Sequence, residues 1–425
     1  MSSGNSSGSG LSSERVTFRS VFAVREFRAL WSAEGLSQVG DQLARVALAV
    51  LVFDRTDSAL LTGLTYALTM APAFLGGIFL SGIADRLPRR EVMVMADLAR
   101  AVLIAAVAIP GMPFPVLWVL VAAVSFCQAP FKAAQLALLP AILPGDKYVT
   151  GMAIRSITIQ TAQMIGFAAG GVLINAINPY LGLALDAVTF LGSAAFVRFG
   201  VRQRPAARVA TEGVKRESML KSAAGGLRLI WGDTSLRTLL TLSWLSGFLI
   251  VYEGLAAPYT AEIGGGTIAI GLILASDPLG SAIGAFVFGR WVPVPTRTKV
   301  LGALGIASCV PVAVVLFHPG LVLSVALFAL AGALGTAVMM QSTALFTRGV
   351  PDHSRAQASG LSQSGTATIQ GLSPLLAGLV ADRVGTANTV GAVGIIGLLI
   401  AIPAAIIWQR MLAGQADTVE QTGSA

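Results

Sequence analysis

Charge is what this chain has least of. Only 12% of its 425 residues are Asp, Glu, Lys or Arg, against about 25% in soluble proteins, which excludes an ordinary soluble domain. Cysteine and histidine are scarcer still, two of each. Cys127 and Cys309 lie inside apolar runs and offer no disulfide framework, and with the isolated His318 and His353 they make no metal-ligand set. No Walker phosphate loop is present, which excludes an ATP-driven pump, and no nucleophile–base pair marks an enzyme. No cofactor is expected. A cleavable signal peptide is also missing, because the first apolar run is too long and follows a Ser/Gly tail. The first span is its own insertion signal.

Apolar length is there in abundance: 55% of the residues are hydrophobic and the mean hydropathy is +0.76. A membrane-crossing helix needs about 20 mostly apolar residues. Twelve runs qualify, roughly 29–53, 59–84, 92–109, 116–138, 151–175, 181–199, 238–260, 267–289, 300–317, 321–346, 358–380 and 389–409. The basic residues test which loops face the cytoplasm. Of 29 Lys and Arg, 23 fall in the tails and loops of one side, against Arg55 and Arg383 on the other. Basic loops stay inside, so both termini are expected in the cytoplasm of a multi-pass inner-membrane protein. The same distribution explains the basic isoelectric point without nucleic acid.

Residues 1–22 read as a disordered tail, 23–199 as one six-helix bundle, 200–237 as a cytoplasmic linker, 238–410 as a second bundle and 411–425 as a tail. Within the linker, Glu217 to Trp231 reads either as a helix lying in the headgroup region or as plain connection. The halves repeat weakly. At an offset of 207 residues Pro144 matches Pro351, Gln163 matches Gln370 and Gly171 matches Gly378; at 208, Gly63 matches Gly271 and Gly76 matches Gly284. Such echoes at equivalent places in the topology indicate duplicated halves.

Ionisable residues inside apolar spans cost a few kcal/mol and invite functional hypotheses. In the first span Glu34, Gln38, Asp41 and Arg45 follow i, i+4, i+7 and i+11, one face of a helix, and Asp41 and Arg45 are spaced to pair. The stripe reads as a pathway face or as salt bridges that pack helices together. Gln128, Lys132 and Gln135 repeat the geometry in the fourth span, with Lys132 either facing an acid or reaching to the surface. Tyr252 and Glu253 lie in the seventh span, ahead of Pro258, and Asp277 precedes Pro278 in the eighth. Glu253 reads as a proton or cation site; Asp277 reads as a second titrating group or as a structural acceptor. Asp97, Arg100 and Asp186 read as locks at helix ends.

The charged turn between the second and third spans, Gly82-x-x-Asp85-Arg86-x-x-Arg89-Arg90, resembles the signature loop of the major facilitator superfamily, with Pro88 where that family more often has Gly. Its counterpart in the second half, Gly289 to Arg297, lacks the acid. Gly40-Asp41-Gln42, Ala84-Asp85-Arg86 and Leu185-Asp186-Ala187 resemble the drug and natural-product efflux branch, which includes macrolide and siderophore exporters. In the fifth span Gly166, Gly170 and Gly171 are similar to that branch's small-residue motif, with Ala162 and Phe167 in place of its first Gly and its Pro.

The resemblance implies an all-α integral membrane protein of twelve transmembrane helices in two pseudo-symmetric six-helix bundles. It implies helices 1, 4, 7 and 10 around a central cavity, with Glu34, Asp41, Arg45, Lys132, Glu253 and Gln341 on its walls, near Phe248, Met339 and Met340. Gly82, Asp85, Arg86, Arg89 and Arg90 would form a cytoplasmic gate. Gly166, Gly170 and Gly171 would pack against helix 8 or 11 to close the extracellular half. The implied activity is proton-coupled efflux of a small amphipathic drug or natural product by alternating access, by a monomer in the lipid bilayer whose partners are the substrate and protons. A proton symporter or facilitator importing a nutrient is the alternative.

Overall fold

The computed structural model describes residues 17–204, 228, 230–351 and 354–423; side chains of 74, 75, 77–86, 356 and 415–423 lie outside the described set. The expectations for the first 16 residues, for the body of the linker and for His353 therefore fall outside it, as do those for the side chains of Asp85 and Arg86 and for the packing of Gly82. Every regular element among the described residues is helical. A one-turn helix, Phe18–Phe22, precedes twelve long elements: α1 (Arg25–Thr56), α2 (Ala59–Arg86), α3 (Arg89–Val107), α4 (Phe114–Ile142), α5 (Asp146–Ala176), α6 (Pro179–Gly200), α7 in three pieces (Thr234–Leu249, Val251–Gly254 and Ala256–Glu262), α8 (Thr267–Trp291), α9 (Val294–Val314), α10 (Leu321–Gly349), α11 (Arg355–Val384) and α12 (Thr386–Gly423).

Nine of these, among the described residues, are long and apolar enough to cross a membrane by themselves. Two of the other three have physical reasons to fall short. Five charges (Arg89, Arg90, Glu91, Asp97 and Arg100) dilute α3. α11 is interrupted by Ser, Thr and Gln between Gln357 and Gln370. α2 is without charge from Ala59 to Ala84, and its described side chains cover the apolar stretch Ala59–Ala73. Polar helices survive in a bundle where the polar face meets protein or a wet cavity rather than lipid.

Helices α1–α6 pack among themselves, chiefly as α1 on α5 and α6, α3 on α4 and α6, and α2 on α4; α7–α12 do likewise, with α8 on α10 and α9 on α10 and α12. Two main cross-packings join the halves, α2 with α11 and α5 with α8, beside smaller contacts of α7 with α1 and α2. The two main packings fall at one end of the molecule, the end where α1 turns into α2 at Asp57. Asp57 itself sits in the left-handed region at φ 50°, a conformation Asp tolerates better than most residues. At that end Gly171 of α5 faces Gly271 of α8 so closely that a Cβ on Gly171 would lie 2.8 Å from the partner's Cα. Gly378 of α11 does the same against the start of α2, where a Cβ would lie 2.6 Å from the Ala59 carbonyl oxygen. The repeat pairs 171/378 and 63/271 thus mark two equivalent seams. Asp382 of α11 fastens the second seam by accepting from Ala59 N–H at 2.6 Å and Ser58 Oγ–H at 2.8 Å, at the positive N-terminus of α2.

Candidate functional site

The break in α7 places the most exposed-to-chemistry acid of the second half. Pro258 has no N–H to offer the carbonyl of Gly254, and the helix is interrupted at Ile250 and Leu255. Between those interruptions Tyr252 is buried and stacks on Phe328 at 4.0 Å between ring centroids. Its hydroxyl donates to Asp277 Oδ1 at 2.8 Å. The next residue, Glu253, points the other way and accepts a short hydrogen bond from the Tyr66 hydroxyl of α2, across the junction of the halves. Among the described residues neither Glu253 nor Asp277 has a Lys or Arg nitrogen within 4.0 Å.

Both acids line a cavity of about 500 Å³ between the halves. The N-terminal half contributes Glu34, Gln38 and Arg45 from α1, Tyr66 from α2, Gln128 and Lys132 from α4, and Arg155 and Gln163 from α5. Asp277, Gln370 and Pro374 come from α8 and α11. The repeat pair Gln163 and Gln370 therefore meets at one cavity. Lys132 is exposed to this space and, among the described residues, makes no ion pair within 4.0 Å. Polar groups from both halves around a wet central space suit a solute that carries both apolar surface and hydrogen-bonding groups.

The acids of α1 are placed differently. Glu34 is clamped by Arg155, which donates from Nε at 2.6 Å and from Nη2 at 2.5 Å, while the same Nη2 reaches Gln135 Oε1 at 3.1 Å. Two parallel donors on one carboxylate make the strong form of this pair. Asp41 does not pair with Arg45. It accepts from Arg100 Nη2 of α3 at 2.7 Å and turns away from the large cavity toward a smaller one. Arg45 keeps to the cavity wall, with Nη2 beside Met70 Sδ at 3.7 Å. The i, i+4 spacing allows a pair along one helix, but a guanidinium arriving from α3 offers Asp41 better geometry.

The other expected residues divide. Gln341 is not on the cavity wall: its Nε2 donates to Thr298 Oγ1 of α9 at 3.2 Å. α10 packs on α8, where Gly280 and Gly284 meet the backbone of Ala329 and Ala333, and borders a smaller space that shares Asp277 and Gln370 with the large cavity. Met340 is likewise off the wall, Met339 borders a smaller space behind Asp277, and Phe248 faces an apolar groove of about 580 Å³ with α11 and α12. Arg89 donates to the Ala137 carbonyl at 2.7 Å and Arg90 to Gln203 Oε1 at 2.8 Å, both within the N-terminal half. In α5, Gly166 and Gly170 pack on Gln42 and Val46 of α1, and Gly171 alone meets α8. Tyr66 and Arg155 are the additions that sequence reasoning did not single out. Arg155 carries the same signal as Lys132, a charge near an apolar run; Tyr66 carries none.

Residues 30–262 and 254–421 match the family model described as Major Facilitator Superfamily. The chain is 26% identical over 299 residues to a putative bacilysin exporter, BacE, of Bacillus amyloliquefaciens, covering 69% of this chain and 72% of that protein. It is 27% identical over 274 residues to the enterobactin exporter EntS of Salmonella typhi, covering 62% of this chain and 63% of that one. Among solved structures, a POT family transporter in complex with 5-aminolevulinic acid superposes with a TM-score of 0.70 at 11% identity, over 91% of this chain and 96% of that chain. A bacterial homolog of the human lysosomal transporter Spinster, inward-facing and unoccupied, gives 0.67 at 14% identity, over 91% and 97%. At these identities the two structures speak for the fold.

Proposed function

The chain belongs to the Major Facilitator Superfamily, and from that premise we propose that it is a proton-coupled exporter of a small amphipathic natural product or drug. The observation that carries the reading is Glu253: an acid in an interrupted helix, on the wall of a 500 Å³ cavity, held by a tyrosine hydroxyl and, among the described residues, by no cation. Such a carboxylate can take a proton without breaking an ion pair. The exporter names of the relatives favour the outward direction.

In this reading the Asp57 end is extracellular, since its loops hold only two of the 29 basic residues. The two glycine seams and the Asp382 latch then close the outside, and the cavity serves the cytoplasm. Residues 82–90 lie at the cytoplasmic ends of α2 and α3, where Asp85 is assigned to the gate that closes when the outside opens. The halves 23–199 and 238–410 rock about the cavity as a monomer in the inner membrane, with both termini inside. A proton reaching Glu253 from outside and leaving it inside exchanges for cargo. One charge crossing 100 mV supplies about 2.3 kcal/mol, enough for roughly fifty-fold accumulation.

The test is accumulation of a fluorescent amphipathic dye in proteoliposomes under an imposed pH gradient. Wild type should concentrate the dye and Glu253→Gln should only equilibrate it. Equal accumulation by the two would remove Glu253 from the coupling path.

A further inference from the structure

The transport cycle proposed above leaves unused a polar cluster inside the N-terminal half. It surrounds a cavity of about 40 Å³ bordered by Asp41 and Arg45 of α1, Thr69 of α2, Arg100 of α3, Ser125 and Gln128 of α4, and Asp186 of α6. Asp97 lies behind it, 3.6 Å from Arg100 Nη1, and accepts from Ser193 Oγ–H at 2.6 Å. Asp97, Arg100 and Asp186 are 0%, 2% and 1% exposed, so the cluster is removed from bulk water.

Arg100 is divided between two acids. It serves Asp41 with one nitrogen and Asp97 with another, and the Phe190 ring covers its face at 3.9 Å. The Asp186 carboxylate receives only the Thr189 hydroxyl of its own helix, at 3.0 Å, which it shares with its own backbone carbonyl at 2.8 Å, and among the described residues no Lys or Arg nitrogen lies within 4.0 Å of it. Two further atoms show that the polar groups are incompletely matched: Asp97 Oδ1 and Arg100 Nε are buried without a hydrogen-bond partner. The charged groups facing the cluster are Arg45 from α1 and Arg100 from α3. Lys132 of α4 faces the larger wet cavity, and Arg155 of α5 is taken by Glu34. Arg100 is divided between Asp41 and Asp97, and Arg45 and Lys132 lie beyond 4.0 Å of these acids, so Asp186 has no ion-pair partner of its own among the described residues. A buried, unpaired carboxylate is far costlier than its neutral acid, and a cavity of this size holds about one water.

We propose that Asp186 binds an exchangeable proton at the edge of the small cavity. Arg45 and Gln128 border both the small and the large cavity, which gives the proton its route: from water in the central cavity, past those two side chains, onto the Asp186 carboxylate, and back by the same path. Binding converts the carboxylate to the acid and release returns H⁺ to water, with no other bond changed. The site is independent of Glu253.

Infrared difference spectroscopy on the purified full chain at neutral pH, on transfer from H₂O to D₂O, reads the protonated-carboxyl C=O stretch directly. Asp186→Asn should lower that band by one carboxylic acid per molecule. Thr189→Val, which removes only the hydroxyl on Asp186, should keep the intensity and move the frequency. It decides the matter by itself if Asp186→Asn does not fold. Glu253→Gln should leave the Thr189-sensitive component in place. A band unchanged in Asp186→Asn, or unmoved in Thr189→Val, overturns the site.

Discussion

The two halves of the molecule carry buried acids of opposite character. In the N-terminal half Glu34, Asp41 and Asp97 each have a guanidinium nitrogen beside them, at 2.5, 2.7 and 3.6 Å. In the C-terminal half Glu253 and Asp277 accept from tyrosine hydroxyls and, among the described residues, have no cation within 4.0 Å. A carboxylate locked to arginine gives up Coulomb energy when it is protonated, whereas one held by a neutral hydroxyl gives up a single hydrogen bond. The first kind fixes helices to one another; the second kind is the one the proposed coupling needs. Asp186 is the exception within the N-terminal half, and for the same reason.

That contrast breaks or sharpens under four substitutions, taken in falling order of effect. Arg155→Met leaves Glu34, 11% exposed on the cavity wall, without its partner and should cost up to about 3–5 kcal/mol of stability, seen as a lower unfolding temperature in detergent. Adding Glu34→Gln should recover most of it. Glu253→Gln should cost no comparable stability but should abolish the roughly fifty-fold dye accumulation that one charge at 100 mV supports. Tyr66→Phe removes the hydroxyl that ties α2 to α7 across the halves. At about 1.5 kcal/mol for a bond to an acid, it should shift the population closed at the Asp57 end by roughly ten-fold, read from the distance between spin labels on the exposed Asp54 and Arg383. Asp382→Asn keeps one acceptor oxygen at the N-terminus of α2 and loses the charge and the other acceptor, so about 1 kcal/mol and a five-fold shift are expected from the same labels. Equal loss of accumulation in Glu253→Gln and Glu34→Gln would erase the distinction between the halves.

The division of the chain into apolar spans was legible in the sequence because hydrophobic length is a local property, and the helices follow the twelve runs with longer ends. The repeat offsets were legible as well, and they carried more than symmetry: Gly171, Gly271 and Gly378 sit at the seams between the halves, where only a missing side chain permits the approach. Pairings between helices were not legible. The spacing of Asp41 and Arg45 describes one helix, while the guanidinium that Asp41 accepts belongs to α3 and depends on how α1, α3 and α6 pack. Gln341 was placed on a wall by its helix's rank in the fold, yet α10 packs on α8 at Gly280 and Gly284, and Gln341 donates to Thr298 of α9. Tyr66 has no charge to draw attention and becomes part of the site only because α2 crosses to the other half.

Proton movement driven by cargo tests the central claim most directly. Proteoliposomes loaded with amphipathic dye and a pH indicator, with no initial pH gradient, report protons moved per dye molecule leaving. Wild type and Glu34→Gln should move protons against the dye, and Glu253→Gln should release dye without moving any. Proton movement in Glu253→Gln equal to that of the parent would contradict the account.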